Sequence, residues 1–180
     1  RSLAKIVESG HLYHGLMPVY WCPACASALA EAEVEYQDKV SPAIDVKFDF
    51  ADKADFAKRI SVDAAILTKP SLVIWTTTPW TLPANEAVSL HPELTYVLVQ
   101  AGDEQLVLVE DLMESALARY ELSESHQVLA RFEGQKLELA SLMHPFYAKQ
   151  VPVILGDHVT TDAGTGAVHT APAHGGEDFA

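Results

Sequence analysis

The sequence predicts an α+β fold that is predominantly β: a curved, mixed or largely antiparallel, barrel-like sheet with short helices at its periphery. Three observations predict it. Short apolar stretches, alternating or continuously hydrophobic, outnumber helical patterns along the chain. Turn residues separate them, so βαβ units do not dominate. The chain has 180 residues, 49% of them hydrophobic, enough for one core of domain size.

The elements follow in order. "SLAKIVESG" places Leu3, Ile6 and Val7 at helical spacing and ends on Gly10, a helix stop. "MPVYWCPAC" reads as a short strand entering a proline-containing knuckle. "LAEAEVEYQ" alternates Ala30, Ala32, Val34 and Tyr36 with acidic or amide residues, the pattern of a half-buried strand. "AIDVKFDF" alternates likewise, with Ile44, Val46, Phe48 and Phe50 inward, and the Ser41-Pro42 pair marks the turn before it. "KADFAKRI" is a short helix and "SLVIW" a buried strand leading into "TTTPWTLPAN". "AVSL", "TYVLVQAG" and "QLVLVE" are strands, the last two joined as a hairpin through Gly102 and Asp103. "DLMESALARYEL" is a helix, "HQVLARFEG" a strand ending at Gly134, and "QKLELASL" fits either a helix or a connecting turn. "VPVIL" and "GAVHTAP" are the final strands, and no internal repeat is present.

Twelve basic against 25 acidic residues give a net charge of -13. This argues against a domain that grips nucleic acid strongly by itself, because phosphate binding is mainly electrostatic. No apolar run reaches bilayer length and no signal-peptide pattern opens the chain, so no membrane partner and a cytoplasmic location are expected. Opening on Arg1 instead of Met, the sequence reads as a piece of something longer.

Three constellations can carry chemistry. "WTTTPWTLPAN" sets Thr76, Thr77, Thr78 and Thr81 within six positions, beside Trp80 and Asn85. Such hydroxyls can form a polar rim for a sugar hydroxyl, an ester carbonyl or a water; equally, they can satisfy only the local backbone. "GTGAVHTAPAHGGEDF" sets Gly166, His169, Thr170, His174 and Asp178 in one short segment. Its histidine could act as acid or base or shape a pocket, and its aspartate could hold an ammonium or sit in the first turn of a helix. His169, His174 and Glu177 also admit a metal reading, although their spacing is no standard zinc signature. Cys22 and Cys25 form one CxxC, half of a four-thiolate zinc site, and no second pair exists in the chain. No GxSxG elbow, P-loop or GxGxxG occurs.

"PVYWCPACASALAEAEVEY", "WTTTPWTLPAN" and "GTGAVHTAPAHGGEDF" together resemble the editing domain, connective peptide 1, of bacterial isoleucyl-tRNA synthetases in the class I aminoacyl-tRNA synthetase family. The resemblance runs from about Gly10 to the end, with the three stretches in the family's order. "TTTPWTLPAN" with "AVHTAP" favours the isoleucyl branch over the valyl and leucyl branches. It implies an aminoacyl-tRNA ester hydrolase that clears valine from the isoleucine tRNA and excludes isoleucine sterically, with action on the adenylate left open. No ligase activity is expected of these residues alone.

By motif position, the resemblance makes Thr76, Thr77, Thr78, Asn85, His169 and Asp178 the catalytic set. The threonines would line the pocket, Asn85 would place substrate or water, His169 would gate size, and Asp178 would bind the α-ammonium. Trp80, as a pocket wall, with Thr81, Gly166, Thr170 and His174, would contact substrate. The partners implied are the 3′ end of tRNA(Ile) carrying valine and the catalytic core of the same polypeptide. No cofactor is implied for editing. Cys22 and Cys25 would be half of a structural zinc site in the parent enzyme. Residues 1–25 would be a stalk toward that core and 26–180 the editing domain, cut just past its site. Ala173 and Glu86 depart from the usual family residues, Gly and a basic residue, which leaves fine selectivity open. Two other readings stand beside this one: a metal-dependent hydrolase, and a tRNA-docking module without chemistry.

Overall fold

The structure is a computed structural model that describes residues 1–12, 14–38 and 40–179, the side chain of Glu177 excepted. It divides into two units, Lys39–Ala171 and Arg1–Asp38 with Pro172–Ala180.

The larger unit contains two open, mixed sheets. The first has five strands: β3 (Ile44–Asp49), β4 (Pro70–Thr76), β6 (Thr95–Ala101), β7 (Glu104–Val109) and β8 (His126–Glu133), in the order β3-β4-β7-β6-β8. The second has four: β5 (Ala87–Leu90), β9 (Ser141–Met143), β10 (Gln150–Leu155) and β11 (Ala167–Thr170), in the order β11-β5-β10-β9. Among the described residues only the β4–β7 and β5–β10 pairs are parallel, and neither sheet closes into a barrel.

The continuous apolar runs of β4, β6 and β7 follow from burial on both faces of the five-stranded sheet. Leu72, Ile74, Tyr96, Leu98, Val107 and Val109 join a core shared with the second sheet. Their neighbours Val73, Val97, Val99, Leu106 and Leu108 face the opposite way. There they meet Met113, Ala116 and Leu117 of the helix α3 (Met113–Arg119). The helix α2 (Lys53–Ile60) buries Phe56, Ala57 and Ile60 in the shared core. Asp52 caps it by accepting from Ala54 N at 2.8 Å and Asp55 N at 3.0 Å. Gly102 takes φ +57° in the β6–β7 hairpin, as its turn requires. "QKLELASL" resolves into a 3₁₀ turn, Gly134–Leu137, followed by the short β9.

In the smaller unit, α1 (Ser2–Glu8) ends before Gly10 as the sequence predicts, with no buried residue. β1 (Tyr20–Cys22) and β2 (Ser27–Leu29) form the antiparallel knuckle hairpin. The strand expected over "LAEAEVEYQ" is absent. Glu31–Glu33 is a 3₁₀ turn instead, with Glu33 N donating to Ala30 O at 2.9 Å and Glu33 Oε2 accepting from Ala30 N at 2.8 Å. Among the described residues, nothing pairs with 30–38 as a sheet, and alanines at Ala30 and Ala32 offer little area to bury. Local capping therefore outweighs the alternating pattern. Asp178 lies on the short α4 (Gly176–Phe179). No helix among the described residues is long and apolar enough to cross a membrane.

Candidate functional site

The threonine segment turns sharply at the end of β4. Thr76 is the last strand residue and is buried. Thr78 N donates to Thr76 Oγ1 at 3.1 Å, and the two hydroxyls lie 3.2 Å apart. Thr78 is then the N-cap of a 3₁₀ helix, Pro79–Ala84, with Pro79 at the first position, where its missing N–H costs nothing. Thr81 N and Thr81 Oγ1 both donate to Thr78 O, at 3.0 and 2.9 Å. Asn85 closes the turn by donating its N–H to Leu82 O at 3.0 Å.

Beyond the turn, β5 lies antiparallel to β11, with Val88 opposite His169 and Ala87 opposite Thr170. This register carries the buried His169 to the threonine turn. Its Nε2 lies 2.9 Å from Thr81 Oγ1, and its Nδ1 lies 3.5 Å from Asn85 Nδ2. The proton count sets the tautomer. Thr81 has one hydroxyl proton, given to Thr78 O, so its oxygen accepts from His169 Nε2–H. Nδ1 then presents its lone pair to the Asn85 amide, a long contact. His169 is thus held between Thr81 and Asn85. Asn85 also donates to Ala87 O at 2.8 Å, while its fully buried Oδ1 has no hydrogen-bond partner among the described residues. Thr170 Oγ1 lies 2.8 Å from Ser89 Oγ, and Thr170 O accepts from Glu86 N at 2.9 Å.

The glycines before β11 are required sterically. Gly166 has φ +75°, and a Cβ there would stand 2.4 Å from Val109 Cβ. Its carbonyl accepts from the buried Tyr96 hydroxyl at 2.6 Å, and Tyr96 Oη in turn accepts from His91 N at 3.1 Å. Burial pushes the Tyr96 phenol up to about 12. Beside this loop is a cavity of about 180 Å³ lined by Trp75, His158, Thr160, Asp162 and Thr165 among others, and the buried Thr165 Oγ1 has no partner among the described residues.

The larger unit therefore gathers Thr76, Thr78, Thr81, Asn85, His169 and Thr170 where β4 ends and β5 begins, while Gly166 precedes the opposite end of β11, which pairs with Leu90. Thr77 is exposed, and 60% of Trp80 is open to solvent. His174, in an exposed turn, and Asp178, half-buried on α4, belong to the smaller unit. No three described His, Cys, Asp or Glu side chains cluster as a metal site; the side chain of Glu177 lies outside the described residues. Cys25 N donates to Cys22 Sγ at 3.2 Å. A hydrogen bond from Cys25 lowers the Cys22 thiol, and the same bond raises Cys25. Both are free thiols, Cys22 partly buried and Cys25 exposed.

Sequence reasoning missed His144, Tyr96 and Ser89. The only signal for Tyr96 was its inward phase with Leu98, since a buried phenol needs a partner for its hydroxyl.

Comparison with known proteins identifies the class. The chain matches the family "tRNA synthetases class I (I, L, M and V)" over residues 1–146, and it belongs to that family. It is 60% identical over 179 residues to the isoleucine–tRNA ligase of Thiobacillus denitrificans, covering 99% of this chain and 19% of that protein. It is 62% identical over 179 residues, with the same coverage, to the isoleucine–tRNA ligase of Saccharophagus degradans. The chain thus spans about a fifth of the length of these relatives. Its fold is similar to the P. falciparum cytosolic leucyl-tRNA synthetase editing domain, with TM-score 0.67, 12% identity, and coverage of 77% of this chain and 63% of that one. The P. knowlesi counterpart gives TM-score 0.65 and 14% identity, covering 82% of this chain and 65% of that one.

Proposed function

We propose that this chain is an editing domain that hydrolyses the ester of valine mischarged onto the isoleucine tRNA. An apolar pocket separates side chains differing by one methylene by only about 1–3 kcal/mol, a discrimination known from synthetases of this class. A second site that admits valine and excludes isoleucine by overlap adds what one pocket lacks.

The observation that carries the reading is the clamped His169. Held by Thr81 and Asn85, it is a rigid wall suited to rejecting one extra methylene. The adjoining threonine hydroxyls are tied to one another and to backbone, which suits a polar rim and not a nucleophile. Water is then the attacking group. It adds to the ester carbonyl and gives up a proton to the neighbouring ribose oxygen, which passes its own hydroxyl proton to the ribose oxygen that the tetrahedral intermediate expels, leaving the free amino acid and an intact ribose diol. Asn85, whose buried Oδ1 has no partner among the described residues, would help orient the substrate or the water. Asp178 binds the ammonium in this scheme. The isoleucine–tRNA ligase relatives and the editing-domain fold support the reading. The remainder of the ligase would hold most of the tRNA, consistent with the charge of -13.

The test is deacylation of valyl- and isoleucyl-tRNA(Ile) by the protein and by Asp178→Ala, with chelator present. Clearing of the valyl ester alone, lost on mutation, is expected. Activity abolished by chelator would transfer the reading to a metal-dependent hydrolase. Binding of tRNA without any turnover would leave a docking module.

A further inference from the structure

His144 lies 62 residues along the chain from the threonine turn, yet it touches that turn. It follows β9 directly and is 5% exposed. Its Nδ1 faces Phe146 N at 3.4 Å and Tyr147 N at 3.2 Å, both donors. Nδ1 is therefore the lone pair and Nε2 carries the proton. Nε2–H donates to Leu82 O at 3.0 Å. The same carbonyl accepts from Asn85 N at 3.0 Å. The ring is fixed by stacking on Tyr147, with centroids 4.9 Å apart at 29°, and by edge contacts with Phe146 and Phe48. A second tether runs in parallel: Lys149 Nζ donates to Glu86 Oε1 at 2.9 Å, next to Asn85.

We propose that His144 is a positioning residue for the site: by holding the Leu82 carbonyl it fixes the end of the 3₁₀ turn, and so sets where Asn85 meets His169. A 3₁₀ turn is weak by itself, because its hydrogen bonds are poorly aligned. Pro79 and Pro83 contribute no backbone donors to this one. An external donor on its last shared carbonyl supplies what the turn lacks. The ion pair of Lys149 with Glu86 is partly exposed and contributes little beside it.

The consequence for turnover rests on the editing reading; the structural claim does not. Three variants of the intact protein separate the two. His144→Gln keeps a donor that reaches Leu82 O, His144→Asn is too short, and His144→Phe keeps the ring without the donor. Hydrogen exchange of 79–86 is compared with that of β6, and the kcat and KM of valyl-tRNA(Ile) deacylation are measured. In the Phe and Asn variants, exchange of 79–86 is expected to rise at least about tenfold with β6 unchanged, and kcat to fall at least about tenfold with KM within about twofold. The Gln variant should stay within about threefold of the parent on both. Unchanged exchange in Phe and Asn, or the same exchange in Gln as in Asn, overturns the proposal; if Phe fails to fold, the Gln–Asn comparison decides. If the parent protein deacylates nothing, the editing reading fails, and exchange alone judges His144.

Discussion

Removing one oxygen from Tyr96 tests how the start of β11 is held. Tyr96→Phe retains the ring in the core but deletes the hydroxyl that joins His91 N to Gly166 O. Gly166 is buried and His91 half-buried, so the first group loses its partner out of reach of water and the second only partly so. A buried polar group left unpaired costs about 1–3 kcal/mol, which puts the loss at about 2–4 kcal/mol. The alkaline limb gives an independent check. The Tyr96 phenol is raised from 10.0 to about 12 by burial. A raised folded value means stability that is fully present below pH 10 and is lost as pH rises toward 12. At pH 11, roughly 1 kcal/mol of the parent's advantage should have gone, and the Phe variant lacks that slope. Urea unfolding at pH 7, 9, 10 and 11, followed by tryptophan fluorescence, measures both quantities. A variant within about 0.5 kcal/mol of the parent at pH 7, with parallel curves up to pH 11, would refute the reasoning.

Gly166→Ala should cost more than about 3 kcal/mol, combining positive φ with overlap on Val109, whereas Gly102→Ala, with positive φ but open space, should cost about 1 kcal/mol; thermal unfolding of the pair separates strain from clash. Asp52→Ala should lower stability by about 1 kcal/mol through loss of the α2 cap, read as a shift in urea midpoint with unchanged slope. Thr81→Val removes the acceptor of His169 Nε2–H; valyl-ester deacylation should drop several-fold with little change in global stability, and equal rates would detach Thr81 from the site. Burial lowers His144 from 6.5, opposed by Leu82 O and with Lys149 and Glu86 as its charged neighbours. A depressed histidine gives stability present above pH 6.5 and lost as pH falls below it, so the parent should lose stability faster than His144→Gln between pH 7.5 and 5 in urea titrations.

Much of this molecule was fixed by local chemistry and could be read from the residues. The two-sided apolar runs of β4, β6 and β7, the Gly102 hairpin and the α2 helix declare themselves, because burial pattern and turn geometry act within a few residues. The threonine, asparagine and histidine stretches could likewise be picked out by type and order. The sequence failed where the outcome depends on what lies opposite. "LAEAEVEYQ" has strand alternation, but an alternating face forms a strand only if a sheet receives it; without one, the Glu33 cap prevails. His144 and Tyr96 look like ordinary core residues, and their use emerges only when separate strands bring Leu82 O, Gly166 O and His91 N to them. Local pattern decides which residues are buried or turn; only the tertiary register of β5 against β11 decides that Asn85 and Thr81 meet His169, because hydrogen bonds between chain-distant groups have no sequence period.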